Sequence, residues 1–146
     1  MRFVDFKVGS VLTSGRRQVT EAEIIAFATQ YDPQWFHIDR ARAQQSRWRG
    51  IIASGWMTCS IAIQLAVTSV LRSSDSIGSP GVEELKWLNP LRLGDEVELR
   101  MEVIEARVSS SGKLGVLRWR WVLSTQRLET VLELTATSLF ELQSAN

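Results

Sequence analysis

The sequence is short of the residues from which covalent cross-links and metal sites are built. Among its 146 residues there is one cysteine, Cys59, and one histidine, His37. A lone cysteine excludes an internal disulfide and suits a reducing cytosol, so a cytoplasmic location is expected. One cysteine and one histidine cannot assemble a typical structural zinc site, and no metal is expected. An excess of one charge is also lacking. Lys and Arg number 17 against 16 Asp and Glu, a net charge of +1, which gives no electrostatic case for nucleic acid or for an anionic membrane. The longest apolar stretch, Trp56 to Leu71, is interrupted by Thr58, Ser60, Gln64, Thr68 and Ser69. It falls short of the about 20 mostly apolar residues that span a bilayer, so a core helix is expected there and no membrane partner. Met1 to Gly9 carries Arg2, Asp5 and Lys7, and no signal peptide is expected. Internal repeats and low-complexity linkers are absent as well.

What is present suits one domain over residues 1–146, with 45% hydrophobic residues to fill a core. Thr20 and Glu23 have capping-box spacing, in which each side chain satisfies a free N–H of a helix's first turn. Ile24, Phe27, Ala28 and Tyr31 then recur on one helical face. Pro33 stops that helix near Tyr31. A loop, Asp32 to Ile38, follows. Asp39 is placed to cap a second helix from Arg40 to about Trp48. Arg40, Arg42, Arg47 and Arg49 cluster there, either as a solvated face or to meet a phosphate-bearing ligand. Gly50 to Gly55 breaks the pattern, and a long helix runs from Trp56 to about Leu71, apolar nearly all round and so expected to be buried on most faces.

Ser73 to Gly81 reads as a loop, rich in Ser, Gly and Pro. The second half alternates. Val97, Leu99, Met101 and Val103 face away from charged neighbours, as do Leu117, Trp119, Trp121 and Leu123, and then Leu132, Leu134 and Ala136. Period-2 alternation gives antiparallel strands with one buried and one wet face. Further strands are expected over Gly81 to Leu88 and near Ser10 to Val19. The fold class is therefore α+β, an antiparallel sheet of about five strands curled around a long central helix. Its open edges favour pairing between two copies, a homodimer or higher homo-oligomer.

The segment Tyr31-Asp32-Pro33-Gln34-Trp35-Phe36-His37-Ile38-Asp39 concentrates chemistry-bearing residues. A stiff loop can hold a carboxylate and an imidazole in fixed geometry, as acid/base catalysis requires. Imidazole titrates near neutrality, and a carboxylate beside it can act as a base if burial raises its pKa. A turn-capping aspartate and a structural histidine would look the same. Ala53-Ser54-Gly55 precedes the long helix. The N–H groups of a helix start suit a thioester oxygen that becomes negative in a transition state, and glycine allows close approach. An ordinary glycine at a helix start is the alternative. Ser60, a turn and a half further on, is placed either to orient the Asp32 carboxylate or to bond its own helix backbone.

Three stretches together resemble a known family. They are Phe27-Ala28-x-x-Tyr31-Asp32-Pro33-Gln34-x-x-His37-x-Asp39, then Ile52-Ala53-Ser54-Gly55, then Leu85-x-Trp87-Leu88-x-Pro90-Leu91-Arg92-x-Gly94-Asp95. The pattern is similar to the MaoC-like dehydratases, hot-dog-fold proteins related to the (R)-specific enoyl-CoA hydratases, and it covers most of the chain. The resemblance implies a carbon–oxygen lyase of fatty acid metabolism type that adds water to a trans-2-enoyl thioester or removes it. It implies Asp32 and His37 as the catalytic pair that holds a water and Gly55 N–H as donor to the thioester carbonyl. Ser60 and Ser54 are implied as supporting residues. It implies an acyl-CoA or acyl-carrier thioester as substrate, no separate cofactor, and a dimer. The chain departs from many hydratases at Pro33-Gln34, Ser54-Gly55 and Trp48-Arg49-Gly50, and Trp35 and Trp56 add bulk near the expected pocket, which points to a short or branched acyl group.

Two other readings compete. A thioesterase of the same fold would usually place an Asp or Glu on or near the central helix, and no acidic residue occurs between Asp39 and Asp75. A non-catalytic acyl-thioester-binding subunit is the other, since fold does not fix function. Retention of both Asp32 and His37 argues against it.

Overall fold

The computed structural model describes residues 1–142. Residues 143–146, the end of the expected domain, lie outside the described residues. Helix α1 (Glu21–Tyr31) starts on the expected capping box: Glu23 N–H donates to Thr20 Oγ1 at 3.3 Å and Thr20 N–H to Glu23 Oε2 at 2.9 Å. Its buried residues are Ile24 and Ala28; Tyr31, expected on the same face, is exposed. The helix stops at Asp32, whose N–H still reaches Ala28 O at 2.8 Å. Pro33 then sits in a tight turn closed by Gln34 N–H to Asp32 O at 2.8 Å. The span expected as a plain loop contains a short helix, α2 (Trp35–Ile38). Asp39 Oδ1 accepts the Arg42 N–H at 3.0 Å and caps α3 (Arg40–Gln44), which ends four residues before the expected Trp48. The chain instead turns through Arg49 at φ 55° and Gly50 at φ 144°, backbone that a helix cannot continue through.

Helix α4 (Gly55–Ser69) is the long helix. Met57, Thr58, Ile61, Ala62, Leu65 and Ala66 are buried, a single stripe at helical spacing. Trp56 and Ile63 on the other side are exposed. Burial on most faces is therefore corrected: the sheet covers one side of α4, and among the described residues nothing covers the rest of Trp56 and Ile63.

The sheet is antiparallel and six-stranded rather than five-stranded. Its strands are β1 (Val11–Thr13), β2 (Arg17–Gln18), β3 (Ser76–Lys86), β4 (Glu96–Val108), β5 (Leu114–Thr125) and β6 (Thr130–Glu141). They lie in the order β1-β4-β5-β6-β3, with β2 also on β4. The sixth strand arises because the one expected near Ser10 to Val19 is split. Thr13 pairs with Arg100 and Arg17 with Val97, so the first strand spends one residue more than β4 over this interval. Ser14 bridges the break, its N–H donating to Leu99 O and its Oγ accepting from Leu99 N–H, both at 2.9 Å. This is a bulge, which bends a strand and ends its pairing.

Strand β3 begins at Ser76, inside the span expected as a loop. It pairs only with β6, through register shifts around Gly78 and Gly81. An edge strand tolerates Pro80 and such irregularity because one side needs no ladder bonds.

The core lies between α4 and the apolar face of β4, β5 and β6, with Leu99, Met101, Leu117, Trp119, Leu123 and Leu132 fully buried. At one end Phe6 meets Trp119 edge-on at 5.7 Å and Phe140 at 5.1 Å, closing the core with aromatic contacts worth about 1 kcal/mol beyond area burial. No described helix is long and apolar enough to cross a membrane.

Candidate active site

Four short segments converge beside the start of α4. The C-terminus of α1 supplies Asp32, α2 supplies His37, residues 50–54 form one wall, and the segment after β3 forms the other. The middle segment is tied down on both sides: Ile52 N–H donates to Phe36 O at 3.1 Å and Ala53 N–H to Leu91 O at 2.8 Å. The groups between them are thus held by backbone bonds rather than by long side chains, which favours fixed geometry.

His37 is buried, with 4% of its surface exposed. Its Nδ1 lies 2.6 Å from Ile52 O. A carbonyl oxygen only accepts, so Nδ1 carries the hydrogen and Nε2 is the nitrogen left for chemistry. Nε2 lies 3.2 Å from Asp32 Oδ2. That contact is attractive when a proton sits between the two atoms. The structure therefore brings together the two residues singled out by spacing, with one tautomer enforced from behind.

The carboxylate of Asp32 is held by more than the imidazole. Ser54 Oγ donates to Oδ2 at 2.8 Å and Gln34 Nε2 donates to Oδ1 at 2.7 Å. Burial pushes the Asp32 carboxyl up, but the hydrogen bonds from Gln34 and Ser54 and the charge and hydrogen bond of His37 outweigh it, and the pKa is lowered from the ordinary aspartate value. The condition of a net rise is not met, because a polar cradle surrounds a side chain that is only partly buried.

Ser54 does two things. Its hydroxyl holds Asp32, and it caps α4 by accepting the Trp56 N–H at 3.3 Å. Gly55 is the first residue of α4, where N–H groups have no acceptor within the helix. A Cβ at Gly55 would lie 2.4 Å from Trp87 Cε2, closer than any real contact, so glycine here lets Trp87 pack flat on the helix start.

A cavity of about 320 Å³ opens on this arrangement, lined in part by His37, Ala53, Gly55, Thr58, Trp48 and Trp87. Its size is at the lower end of small-molecule sites.

Three expected residues fall elsewhere. Ser60 is exposed and donates to Trp56 O at 2.9 Å, the back-bond to the preceding turn that serines in helices often make. It does not hold Asp32 in this structure; Ser54 does. Trp35 is not part of the cavity wall. It meets Phe36 edge-on at 5.3 Å and carries the Arg42 guanidinium 4.3 Å above its ring. Trp56 is exposed, and its ring meets that of Trp87 edge-on at 5.2 Å. The bulk at the cavity comes from Trp48 and Trp87 instead. The sequence reading missed Gln34 as a partner of Asp32, though it stands two residues on across Pro33, a spacing that folds back in a tight turn. It missed the Ile52 carbonyl altogether, since no side-chain identity marks a backbone acceptor.

Comparison with known proteins gives a consistent result. The family model for the MaoC like domain matches residues 7–118. The uncharacterized protein YdeM of Bacillus subtilis (strain 168) is 29% identical over 117 residues, covering 80% of this chain and 82% of that protein. The crystal structure of the MaoC-like dehydratase from Rhodospirillum rubrum superposes with a TM-score of 0.89 at 36% identity, covering 97% of each chain. The (R)-hydratase from A. caviae involved in PHA biosynthesis superposes with a TM-score of 0.72 at 25% identity, covering 91% of this chain and 96% of that one.

Proposed function

The chain belongs to the MaoC-like domain family, and from that premise we propose that it is a hydratase or dehydratase acting on a trans-2-enoyl thioester, with Asp32 and His37 as its acid/base pair. The observation that carries the reading is the contact of His37 Nε2 with Asp32 Oδ2 at 3.2 Å, set by the bond of Nδ1 to Ile52 O. Two groups within proton-transfer distance, one of which lines the cavity, can each move a proton once and then restore themselves.

In the hydration direction a water lies against both groups. Its oxygen bonds to C3 of the enoyl group while Asp32 takes one of its protons. The double-bond electrons pass through C2 onto the thioester oxygen, which the Gly55 N–H stabilises. Protonated His37 Nε2 delivers its proton to C2, and the proton on Asp32 then returns to His37 across their contact. The sum is one water added across the double bond, and dehydration is the reverse. A lowered Asp32 pKa keeps that carboxylate ionised and ready to accept. Serine and glutamine donors fix its two oxygens, which is the positioning that acid/base catalysis depends on.

This reading takes residues 1–146 as one domain, places the protein in the cytoplasm, and makes CoA or an acyl carrier the bearer of the thioester. It also takes the working form as a homodimer. Strand β3 leaves an open edge with Ile77 and Val82 exposed, and α4 leaves Trp56 and Ile63 exposed nearby in sequence to the site. The test is a panel of trans-2-enoyl-CoA esters of increasing chain length, followed by loss of enoyl absorbance. The reading expects hydration of at least one member without release of free thiol. Thiol release with no hydration favours the thioesterase instead.

A further inference from the structure

Trp87 stands one residue past the end of β3, and a bulge in that strand decides which way its ring points. Glu83 pairs with Thr135 and Lys86 with Glu133, so β3 takes three residue steps where β6 takes two. Within this interval Glu84 is held at φ 53°, a left-handed conformation that a residue with a side chain seldom adopts. Side chains alternate along a strand, so one extra residue exchanges the two faces for everything that follows. Lys86 thereby stays on the wet face with Glu83, and Trp87 turns toward α4.

On that side the ring is fixed. It packs on the first residue of α4, with Cδ2 and Cζ2 at 2.6 and 2.8 Å from where a Cβ on Gly55 would stand. The Trp56 ring meets it edge-on at 5.2 Å. Cys59, one turn along α4, is hydrogen-bonded to the indole. An indole has only a donor, so its N–H donates to the sulfur, and burial pushes the thiol's pKa up and keeps it neutral. The backbone is tied on both sides, at Lys86 to Glu133 and by Leu88 N–H to Val131 O at 3.3 Å. Asn89 Nδ2 adds a bond to Thr130 O at 2.8 Å.

Trp87 lines the same cavity of about 320 Å³ as Gly55 and His37. With the thioester oxygen on the Gly55 N–H and C2 beside His37, an acyl group in that cavity meets a ring that its own packing and bonds keep from swinging aside. A wall so held resists extra methylenes rather than yielding to them. We propose that Trp87 is a specificity-determining residue, the wall that limits the acyl group to a few carbons, an assignment that rests on the enoyl-thioester reading.

The test uses Trp87→Leu and Trp87→Phe. Thermal melting establishes which are folded, and either folded variant suffices. Kinetics on crotonyl-CoA and trans-2-octenoyl-CoA are expected to show kcat/KM for the longer ester, relative to the shorter, rising about tenfold or more in Trp87→Leu and by less in Trp87→Phe. Calorimetric titration with butyryl-CoA and octanoyl-CoA, saturated esters that cannot be hydrated, needs no turnover and is expected to show the same rise in relative affinity. An unchanged affinity ratio overturns the wall, and so does failure of wild type and variants to bind either ester. The wild type alone supplies a further check: preference for the octanoyl ester over the butyryl ester also overturns it. A raised affinity ratio without hydration of any ester leaves the wall standing and sinks the hydratase. Hydration with an unchanged affinity ratio does the opposite.

Discussion

Replacing Ser54 by alanine separates the support of Asp32 from Asp32 itself. The change removes one hydrogen bond to an ionised carboxylate, the 2.8 Å contact with Oδ2, and one helix cap, the 3.3 Å contact with Trp56 N–H. A lost cap costs about 1 kcal/mol, and a lost hydrogen bond to a charged group about 1.5 kcal/mol at the low end appropriate to a partly exposed partner. Together they lower stability by about 2.5 kcal/mol, or about 5–10 °C in melting temperature for a chain of this size. The sign of the pH effect follows from the Asp32 pKa, which is lowered in the folded protein. A lowered pKa contributes stability above the unfolded value that is lost as pH falls through the folded value. The variant therefore loses most at neutral pH and least in strong acid. Removing a donor that favours the ionised form also lifts the Asp32 pKa, so the acid limb of kcat/KM moves to higher pH. With Gln34 and His37 still holding the carboxylate, kcat is expected to fall about tenfold, the range of a small misplacement. Melting curves at several pH values and a pH profile of hydration read all of this out. A profile that superimposes on the wild type, with kcat unchanged, refutes the assignment of Ser54 to Asp32.

Ser60→Ala is expected to change melting and kinetics little, within about 0.5 kcal/mol, because its hydroxyl only back-bonds its own helix; a loss matching that of Ser54→Ala would restore Ser60 as the supporting serine. Gly55→Ala drives a methyl into Trp87, and is expected to cost about 1–3 kcal/mol and to raise KM, with partial rescue by a second change, Trp87→Leu, in the melting and kinetic assays. The two core tryptophans differ in their N–H groups. Trp119 Nε1 donates to Ser138 Oγ at 3.1 Å, whereas Trp121 Nε1 is buried with no partner among the described residues. Trp119→Phe is therefore expected to cost at least about 1 kcal/mol more than Trp121→Phe in urea unfolding, since the former leaves a buried hydroxyl unpaired.

The regular parts of the fold were legible because they rest on local signals. The Thr20–Glu23 capping box, the stop at Pro33 and the alternation through β4, β5 and β6 each depend on neighbours a few residues apart. The misreadings lie where tertiary contacts decide. Composition made β3 a loop from Ser73 to Gly81, yet its partner β6 recruits Ser76 onward, and an edge position forgives the proline. The bulge at Ser14 that divides the first strand depends on Leu99, far away in sequence. At the site, His37 could be singled out as the one histidine of the sequence, and Asp32 because it shares a stiff segment with it. The choice between Ser54 and Ser60 could not be made from spacing, since both stand near the helix start and only the folded arrangement points one hydroxyl at the carboxylate. Sequence proximity points to Trp35 and Trp56 for the cavity, while Trp48 and Trp87 line it because residues 50–54 and the segment after β3 converge across the fold.

The central claim, that Asp32 and His37 share a proton used in hydration, is tested most directly by Asp32→Asn assayed on a trans-2-enoyl-CoA that the wild type hydrates. Asparagine keeps the shape and can still accept from Ser54, so the fold is expected to survive, as a melting curve will verify. The account predicts that kcat falls by at least about a thousandfold. A folded Asp32→Asn protein that hydrates the ester at the wild-type rate would contradict it.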